Sequence, residues 1–202
     1  AVAEAFRPHA AFADEPARVR HMAVNAGVWL AGFVLVELWL VPWVRVRFPY
    51  EPADAWVTLA GWPVWAQLVV GLLALDLADW TLHWLSHRVR PLWMLHAVHH
   101  SDPHVDVTTT LRHHPLGIIV SLAWQVALLA LVGLPGWIVL LRGLAFAPLT
   151  LYQHANVATP RQLDQVLAKV LATPGVHRMH HSPARAETDS NYGQMFTFWD
   201  RL

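Results

Sequence analysis

Histidine is the residue type best suited to chemistry in this sequence, since 14 of the 202 residues are histidines. Eight of them fall into three short clusters whose members are three or four residues apart. In a helix such spacings place the imidazoles on one face, with Cβ atoms about 5–6 Å apart. Imidazole binds zinc, copper, iron and nickel. The clusters therefore predict a metal site, and they consist of His83 and His87, then His96, His99 and His100, then His177, His180 and His181.

The number of clustered histidines indicates two metal ions rather than one. A tetrahedral zinc site needs only four ligands, so eight or more imidazoles exceed the needs of a single ion. Isolated histidines are ordinarily surface or satisfied core residues, and we expect His9, His21, His104 and His113 to lie outside the site. The chain has no cysteine, which excludes disulfides, thiolate zinc sites and cysteine-held iron–sulfur clusters.

The overall composition is typical of an integral membrane protein. Hydrophobic residues make up 55% of the sequence and charged residues only 14%, against about 25% charged residues in ordinary soluble domains. The formal net charge is zero, so the sequence offers no electrostatic basis for a nucleic-acid partner.

Four apolar runs must position the histidines, and they predict an all-α fold. Residues 23–44 carry one charge, Glu37, and are long enough to cross a hydrocarbon core of about 30 Å. The third and fourth runs are marginal for full spans, and a tight turn at 133–136 would allow them to form a re-entrant hairpin instead. The runs cover 23–44, 55–75 with a helical continuation through His83, 116–132, and 137–151 with interruptions at Arg142 and Pro148.

The distribution of basic residues predicts the topology. Eleven lie in the N-terminal arm, between the second and third runs, and in the C-terminal part, whereas the opposite loop at 45–54 contains only Arg45 and Arg47. The positive-inside rule then places both termini and every histidine cluster on the cytoplasmic side. We expect about four transmembrane or re-entrant helices capped by a cytosolic histidine-rich helical domain, in a bacterial inner membrane or, in a eukaryote, the endoplasmic reticulum.

Residues 162–172 have the apolar spacing of an amphipathic helix, with Leu163, Val166, Leu167, Val170 and Leu171 on one face. Two interpretations remain open. The helix packs on the histidine domain, or it lies in the membrane interface beside a route for lipid.

The sequence motifs resemble those of the fatty acid hydroxylase and sterol desaturase superfamily of integral-membrane di-iron oxygenases. The resemblance covers about residues 60–202, in the family's order and spacing. It rests on DWTLHWLSH at 79–87, HAVHHS at 96–101, RHHPL at 112–116, QHAN at 153–156, HRMHHS at 177–182, NYG at 191–193 and WDRL at 199–202. It implies one domain over 1–202 and a natural chain that continues past Leu202. Residues 1–20 are mixed polar with Pro8 and Pro16, so we expect them to form an extramembrane arm.

The resemblance also implies ten metal ligands, which adds two histidines to the clustered eight. His113 stands where the family usually has an aromatic residue, so it is not counted. The implied ligands are His83, His87, His96, His99, His100, His114, His154, His177, His180 and His181. The implied cofactors are two iron ions, with zinc as a substitute occupant in a preparation.

The chemistry that this resemblance implies is hydroxylation or desaturation of a C–H bond of a fatty acyl or sterol-like lipid, with dioxygen as co-substrate. Since the chain has no cysteine and no nucleotide-binding glycine motif, electrons must come from an external donor, which the resemblance suggests is a b-type cytochrome or a ferredoxin-like protein. The alternative is a membrane metal-ion transporter or metal-binding protein. A bis-histidine haem protein and a metal-dependent hydrolase fit the pattern less well.

Further residues are expected around the metals and the substrate. Asp79 lies one helical turn before His83, so we expect it to hold the other N–H of that imidazole, and Asn156 to hold a loop carbonyl or a ligand. Large aromatic and apolar side chains near the clusters are expected to line the lipid cavity. They are Trp80, Trp84, Trp93, Phe146, Leu149 and Tyr152.

Overall fold

The computed structural model of the chain describes residues 4, 8–47, 57–59 and 61–202. These residues are mostly helical, as the apolar runs predict. In chain order the α-helices are α1 Glu15–Leu35, α2 Val41–Arg47, α3 Val64–Arg88, α4 Arg90–His100, α5 Pro115–Leu131, α6 Gly136–His154, α7 Arg161–Leu167, α8 Pro174–His180 and α9 Arg185–Thr188. Val107–Leu111 and Phe198–Arg201 are 3₁₀-helices, and strand β1 Val57–Thr58 pairs in parallel with β2 Val132–Gly133.

The first helix begins inside the segment that was predicted to be an extramembrane arm. Asp14 caps it by accepting a hydrogen bond from the amide of Ala17, and Pro16 occupies its first turn, where a missing N–H costs nothing. A five-residue π-helix, Val36–Leu40, joins α1 to α2 without a break. Arm residues 1–3 and 5–7, and residues 48–54 of the predicted polar loop, lie outside the described residues.

Within the described part of the chain, two helical segments are long and apolar enough to cross a membrane: Glu15–Trp43 and Val64–Arg88. The second begins at Val64 rather than at residue 55, because Trp62 and Pro63 lead into it and Val57–Thr58 are extended. Helix α5 has 17 residues, none of them buried. The outer faces of these helices expose large apolar side chains, such as Trp39 at 74% and Trp65 at 71%, as expected of surfaces that contact lipid.

Close helix packing depends on two glycines. A Cβ at Gly32 in α1 would lie 2.6 Å from Cδ1 of Ile118 in α5, and a Cβ at Gly71 in α3 would lie 2.9 Å from Cγ2 of Ile138 in α6. Small residues are commonly found where membrane helices approach this closely. The predicted turn at 133–136 is part of the core, since Leu134 is fully buried against Ile138 and Leu75.

The predicted helix over 162–172 is shorter than expected. Helix α7 ends at Leu167, and Leu171 forms an antiparallel bridge with Phe196. The amide of Thr197 donates to the carbonyl of Val170, so the C-terminal segment takes up backbone groups that a longer helix would need. Leu163 and Val166 are 50% and 62% exposed. The side of α7 that carries them is therefore not packed on the histidine domain.

Candidate metal centre

Nine histidines form two adjoining groups whose ring nitrogens converge. Within each group the potential ligand atoms all lie within 4.8 Å of one another. The first group has five members and the second has four. The first consists of His83, His87, His96, His100 and His180, and the second of His99, His154, His177 and His181.

Helices α3, α4 and α8 supply the first group. Nε2 of His83 lies 2.9 Å from Nε2 of His180, and Nε2 of His96 lies 3.1 Å from Nε2 of His100. Imidazole nitrogens held 2.0–2.1 Å from a shared cation lie roughly 3 Å apart. The spacing in this group is therefore the spacing that one bound cation requires.

Helices α4, α6 and α8 supply the second group. Nε2 of His154 lies 3.1 Å from Nε2 of His99 and 2.9 Å from Nε2 of His177. His181 completes the group from the residue that caps the C-terminus of α8. The second group therefore has the same nitrogen spacing as the first.

The two His-x-x-His-His motifs contribute to the groups in opposite ways. In α4 the i, i+4 pair His96 and His100 points to the first group, and His99 points to the second. In the third cluster the i, i+4 pair His177 and His181 belongs to the second group, and His180 belongs to the first. Adjacent residues on a helix diverge by about 100°, so each motif can serve both groups. The rings of His100 and His181 stack at 4.4 Å where the groups meet.

Backbone carbonyls orient several of these rings. Nδ1 of His83 lies 2.8 Å from the carbonyl oxygen of Tyr192, and Nδ1 of His180 lies 2.6 Å from that of Ser190. Nδ1 of His154 lies 2.9 Å from the carbonyl oxygen of Thr150. An Nδ1–H that donates to a carbonyl fixes the tautomer and leaves Nε2 as the free ligand atom.

The chemistry of the donor set fits metal ions. Both ring nitrogens of His181 and Nε2 of His87 are buried without a hydrogen-bond partner, a condition that is costly for a polar atom. Burial, together with the neighbouring imidazoles, lowers the pKa of His180 to about 3 and holds the pKa values of His99 and His177 well below the usual range. The rings are thus neutral at physiological pH, which is the form that binds metals.

The tenth predicted ligand, His114, lies outside both groups. Its Nδ1 accepts a hydrogen bond from the amide of Leu116 and so caps α5. Its neighbour His113, which was not counted, stacks on His99 with ring centroids 4.7 Å apart. The segment between the 3₁₀-helix and α5 is extended here, so the sequence could not reveal which of the two adjacent rings turns inward. His9, His21 and His104 belong to neither group.

The two predicted outer residues have other partners. Asp79 forms an ion pair with Arg142 of α6 and does not hold His83, because the Tyr192 carbonyl already occupies that position. Asn156 holds the N-terminal arm: its side chain accepts a hydrogen bond from the amide of Ala10 and donates one to the carbonyl of the same residue. Asn156 thus binds a loop carbonyl, one of the two roles expected of it.

Asp76 and Asp200 were not among the predicted site residues, and both join the C-terminal segment to α3. Asp76 is fully buried and accepts hydrogen bonds from the amides of Met195 and Phe196 and from the indole of Trp199. Asp200 of the C-terminal segment accepts a hydrogen bond from the indole N–H of Trp80 in α3. One sequence feature indicated that Asp76 needs partners: it lies in an apolar run, where an unpaired carboxylate is costly.

A second polar network attaches α1 to the histidine region. Asn25 is fully buried and donates to Asp102 at 3.0 Å and to Thr108 at 2.9 Å. Arg112 donates to the side-chain oxygen of Asn25 at 2.9 Å and to the carbonyl of Val98 at 3.0 Å. The first membrane helix and the loop after α4 therefore form one unit.

A cavity with a volume of about 1550 Å³ reaches both histidine groups. Of the six residues predicted to line a lipid cavity, Trp93 lies in its wall. Trp80 and Trp84 stack on each other, and Phe146 lies under the guanidinium of Arg142. Leu149 and Tyr152 of α6 do not line this cavity either.

The fatty acid hydroxylase family profile matches residues 68–202, which include both histidine groups. The chain belongs to the fatty acid hydroxylase family. This agrees with the resemblance of its motifs, and lipid oxidation is the chemistry of its relatives. No solved structure matches the chain.

The relatives described below have names that state an enzyme activity. The chain is 34% identical over 141 residues to ornithine lipid hydroxylase OlsE of Rhizobium tropici. The aligned region covers 70% of this chain and 42% of that protein. It is 27% identical over 131 residues to alkylglycerol monooxygenase of Homo sapiens, covering 64% of this chain and 28% of that protein. The alkylglycerol monooxygenase of Danio rerio is 25% identical over 170 residues, covering 84% and 35%. The chain thus spans less than half the length of each relative.

Proposed function

We propose that this protein is a membrane-embedded di-iron oxygenase that hydroxylates a C–H bond of a lipid. The observation that carries the proposal is the pair of adjoining groups of five and four converging histidines. It is supported by membership of the fatty acid hydroxylase family and by relatives named as lipid hydroxylases and monooxygenases. Since these names describe oxygen insertion, hydroxylation is proposed in preference to desaturation.

Each histidine group would hold one iron ion. Five imidazoles would hold one ion and four the other, and bound iron would supply the dioxygen activation that no side chain can perform. Zinc suits the same imidazoles, so metal availability decides which ion a preparation contains. His113, stacked on His99, is the candidate to support the four-membered group.

The protein's own residues hold and shield this centre. The carbonyls of Tyr192, Ser190 and Thr150 fix the ring orientations, and burial keeps the imidazoles neutral. The ring of Tyr192 packs edge-on against His83 and His180, with centroids 5.8 Å from each. This packing excludes water from one side of the first group, as the chemistry of a strong oxidant requires.

The proposed placement puts α1 and α3 across the bilayer and α5 and α6 as a short hairpin within it. His83 and His87 lie in the last two turns of α3, and His154 is the last residue of α6. The centre would then lie at the membrane surface, on the side that the arginine distribution makes cytoplasmic. A separate one-electron donor, a b-type cytochrome or a ferredoxin-like protein, would supply the reducing equivalents.

A metal transporter is the less favoured function. A transport site is expected near the middle of the spans, whereas the histidines that spanning helices contribute to the groups lie at helix ends. The relatives also carry names of lipid-oxidising enzymes.

The test is oxygen incorporation by purified, iron-loaded protein in lipid nanodiscs under ¹⁸O₂, with a reductant and a panel of lipids. We expect a lipid product 18 mass units heavier, absent from the His100→Ala variant. The control is Arg201→Gln, since Arg201 is exposed and lies outside both histidine groups and the cavity, and it should retain wild-type product levels. Metal transport across sealed vesicles without any oxidised lipid would refute the proposal.

A further inference from the structure

The cavity that reaches both histidine groups has charged side chains in its walls. It extends from His87 and His100 of the first group to His181 of the second, and it opens among the loops beyond α3 and α4. A molecule that fills it therefore reaches both groups at once. This is the position of a substrate, because a protein donor of electrons needs only to approach one side.

Five arginines line the cavity together with carboxylates, and Nε of Arg185 lies 3.0 Å from Oδ2 of Asp189 in an ion pair. The carboxylates include Asp164, Glu187 and Asp189. Apolar side chains such as Trp93 and Met179 line the cavity as well. Guanidinium groups recognise carboxylate and phosphate oxygens, so the arginines in these walls can hold the charged end of a lipid. The arginines are Arg88, Arg90, Arg161, Arg178 and Arg185.

Arg178 is placed to bind an anionic oxygen inside the cavity. It is half-buried, and it donates to the carbonyl of Ala155 at 3.4 Å and to that of Val157 at 3.3 Å. Charge-assisted hydrogen bonds are ordinarily about 2.7–2.9 Å long, so both contacts are weak. A carboxylate or phosphate oxygen would be a better acceptor for this guanidinium, which recognises such groups with two parallel N–H donors.

We infer that this cavity binds the charged headgroup of the lipid substrate through Arg178, and that the oxidised carbon lies in the headgroup or directly beside it. The inference rests on the proposed function and deepens it. One atom of dioxygen enters the C–H bond to give an alcohol. The other is reduced to water with two electrons from the external one-electron donor and two protons.

The first arm of the test locates the oxygen. Iron-loaded protein is supplied with ornithine lipid, phosphatidic acid and neutral alkylglycerol carrying saturated chains, and the products are fragmented in a mass spectrometer. We expect the added oxygen in the headgroup fragment or on the carbon bonded to it. Oxygen in the interior of an acyl chain would overturn the inference while leaving the proposed function intact.

The second arm measures binding and does not depend on turnover. Zinc-loaded protein is titrated calorimetrically with soluble headgroup mimics: N-acetylornithine carries a carboxylate, glycerol 3-phosphate a phosphate, and glycerol no charge. We expect a charged mimic to bind at least tenfold more tightly than glycerol, and the better of the two identifies the headgroup class. Arg178→Gln should weaken that binding at least tenfold, whereas Arg201→Gln, outside the cavity, should change it less than twofold.

Two further variants keep the test decisive if Arg178→Gln does not fold. Arg178→Lys keeps the positive charge but loses the two parallel N–H donors of the guanidinium. Arg161→Gln removes an exposed arginine of the cavity wall. Either should weaken binding of the charged mimic severalfold. Equal binding of all three mimics would overturn the inference. So would variants that slow only reduction by a protein donor, because the cavity would then be a donor surface.

Discussion

Nε2 of His83 lies 2.9 Å from Nε2 of His180, although 97 residues separate them in the chain. The contact joins the end of the second membrane helix to the last histidine cluster. Two further contacts stabilise it. The carbonyl of Tyr192 orients the ring of His83, and the carboxylate of Asp76 accepts a hydrogen bond from the segment that follows Tyr192. The metal centre and the C-terminal segment are therefore parts of one assembly.

Asp76→Asn should weaken that assembly. The buried carboxylate accepts three hydrogen bonds, and the amide retains one acceptor oxygen while presenting N–H groups to donors. We expect a loss of about 2–4 kcal/mol in the free energy of unfolding, measured by denaturation in detergent, together with a lower metal content. Glu15→Gln is the control, because Glu15 is exposed and its change should stay within about 0.5 kcal/mol.

The ion pair between Asp79 and Arg142 predicts that removing one of the two charges costs more stability than removing both. Both side chains are largely buried between α3 and α6, so Asp79→Leu or Arg142→Met alone leaves an unpaired charge and should cost about 3–5 kcal/mol. The double variant removes both charges and should recover most of that loss. Unfolding free energies of the four proteins measure this. A double variant as unstable as the sum of the single variants would contradict the buried-pair interpretation.

The neighbours His113 and His114 offer a matched comparison. His113 stacks on His99 of the second group without being a member of that group, whereas His114 only caps α5. We expect His113→Ala to reduce metal occupancy of the second group, and His114→Asn, which preserves a capping side chain, to leave both metals bound. Elemental analysis of the two purified variants decides between them. Metal loss in the His114 variant alone would reverse our assignment.

Stability should depend on pH in a defined direction. Burial lowers the pKa of His180 to about 3 in the folded metal-free protein, against about 6.5 when unfolded. Between these values the unfolded chain binds more protons, so each such histidine removes about 1.4 kcal/mol of stability for every pH unit below 6.5. Metal-free protein should therefore unfold progressively more easily from pH 6.5 downwards. Added metal should oppose this loss, and unfolding midpoints unaffected by pH would contradict it.

The sequence was most informative where spacing and chemistry coincide. Clusters at i, i+3 and i+4 identified eight of the nine converging histidines, and the resemblance added His154. Apolar length predicted α5 and α6 to within a few residues, whereas α1 begins eight residues before the predicted run, after its cap Asp14, and the start of α3 depends on Pro63.

The missed features depend on contacts that no local pattern encodes. The partners of the ligand rings are backbone carbonyls, which every residue possesses, so Asp79 was chosen by proximity in sequence alone. The early end of α7 depends on pairing of Leu171 with Phe196. The predicted lipid lining assumed that aromatic residues near the clusters face the substrate, whereas Trp80 instead donates to Asp200.

The central claim, two metal ions held by two histidine groups, is tested most directly by counting metals per folded chain. Elemental analysis of intact protein in nanodiscs should give two ions in the wild type and in His104→Ala. It should give one ion in His180→Ala, which disrupts the five-membered group, and one in His177→Ala, which disrupts the four-membered group. One ion or none in the folded wild-type protein, or two ions in both ligand variants, would contradict the account.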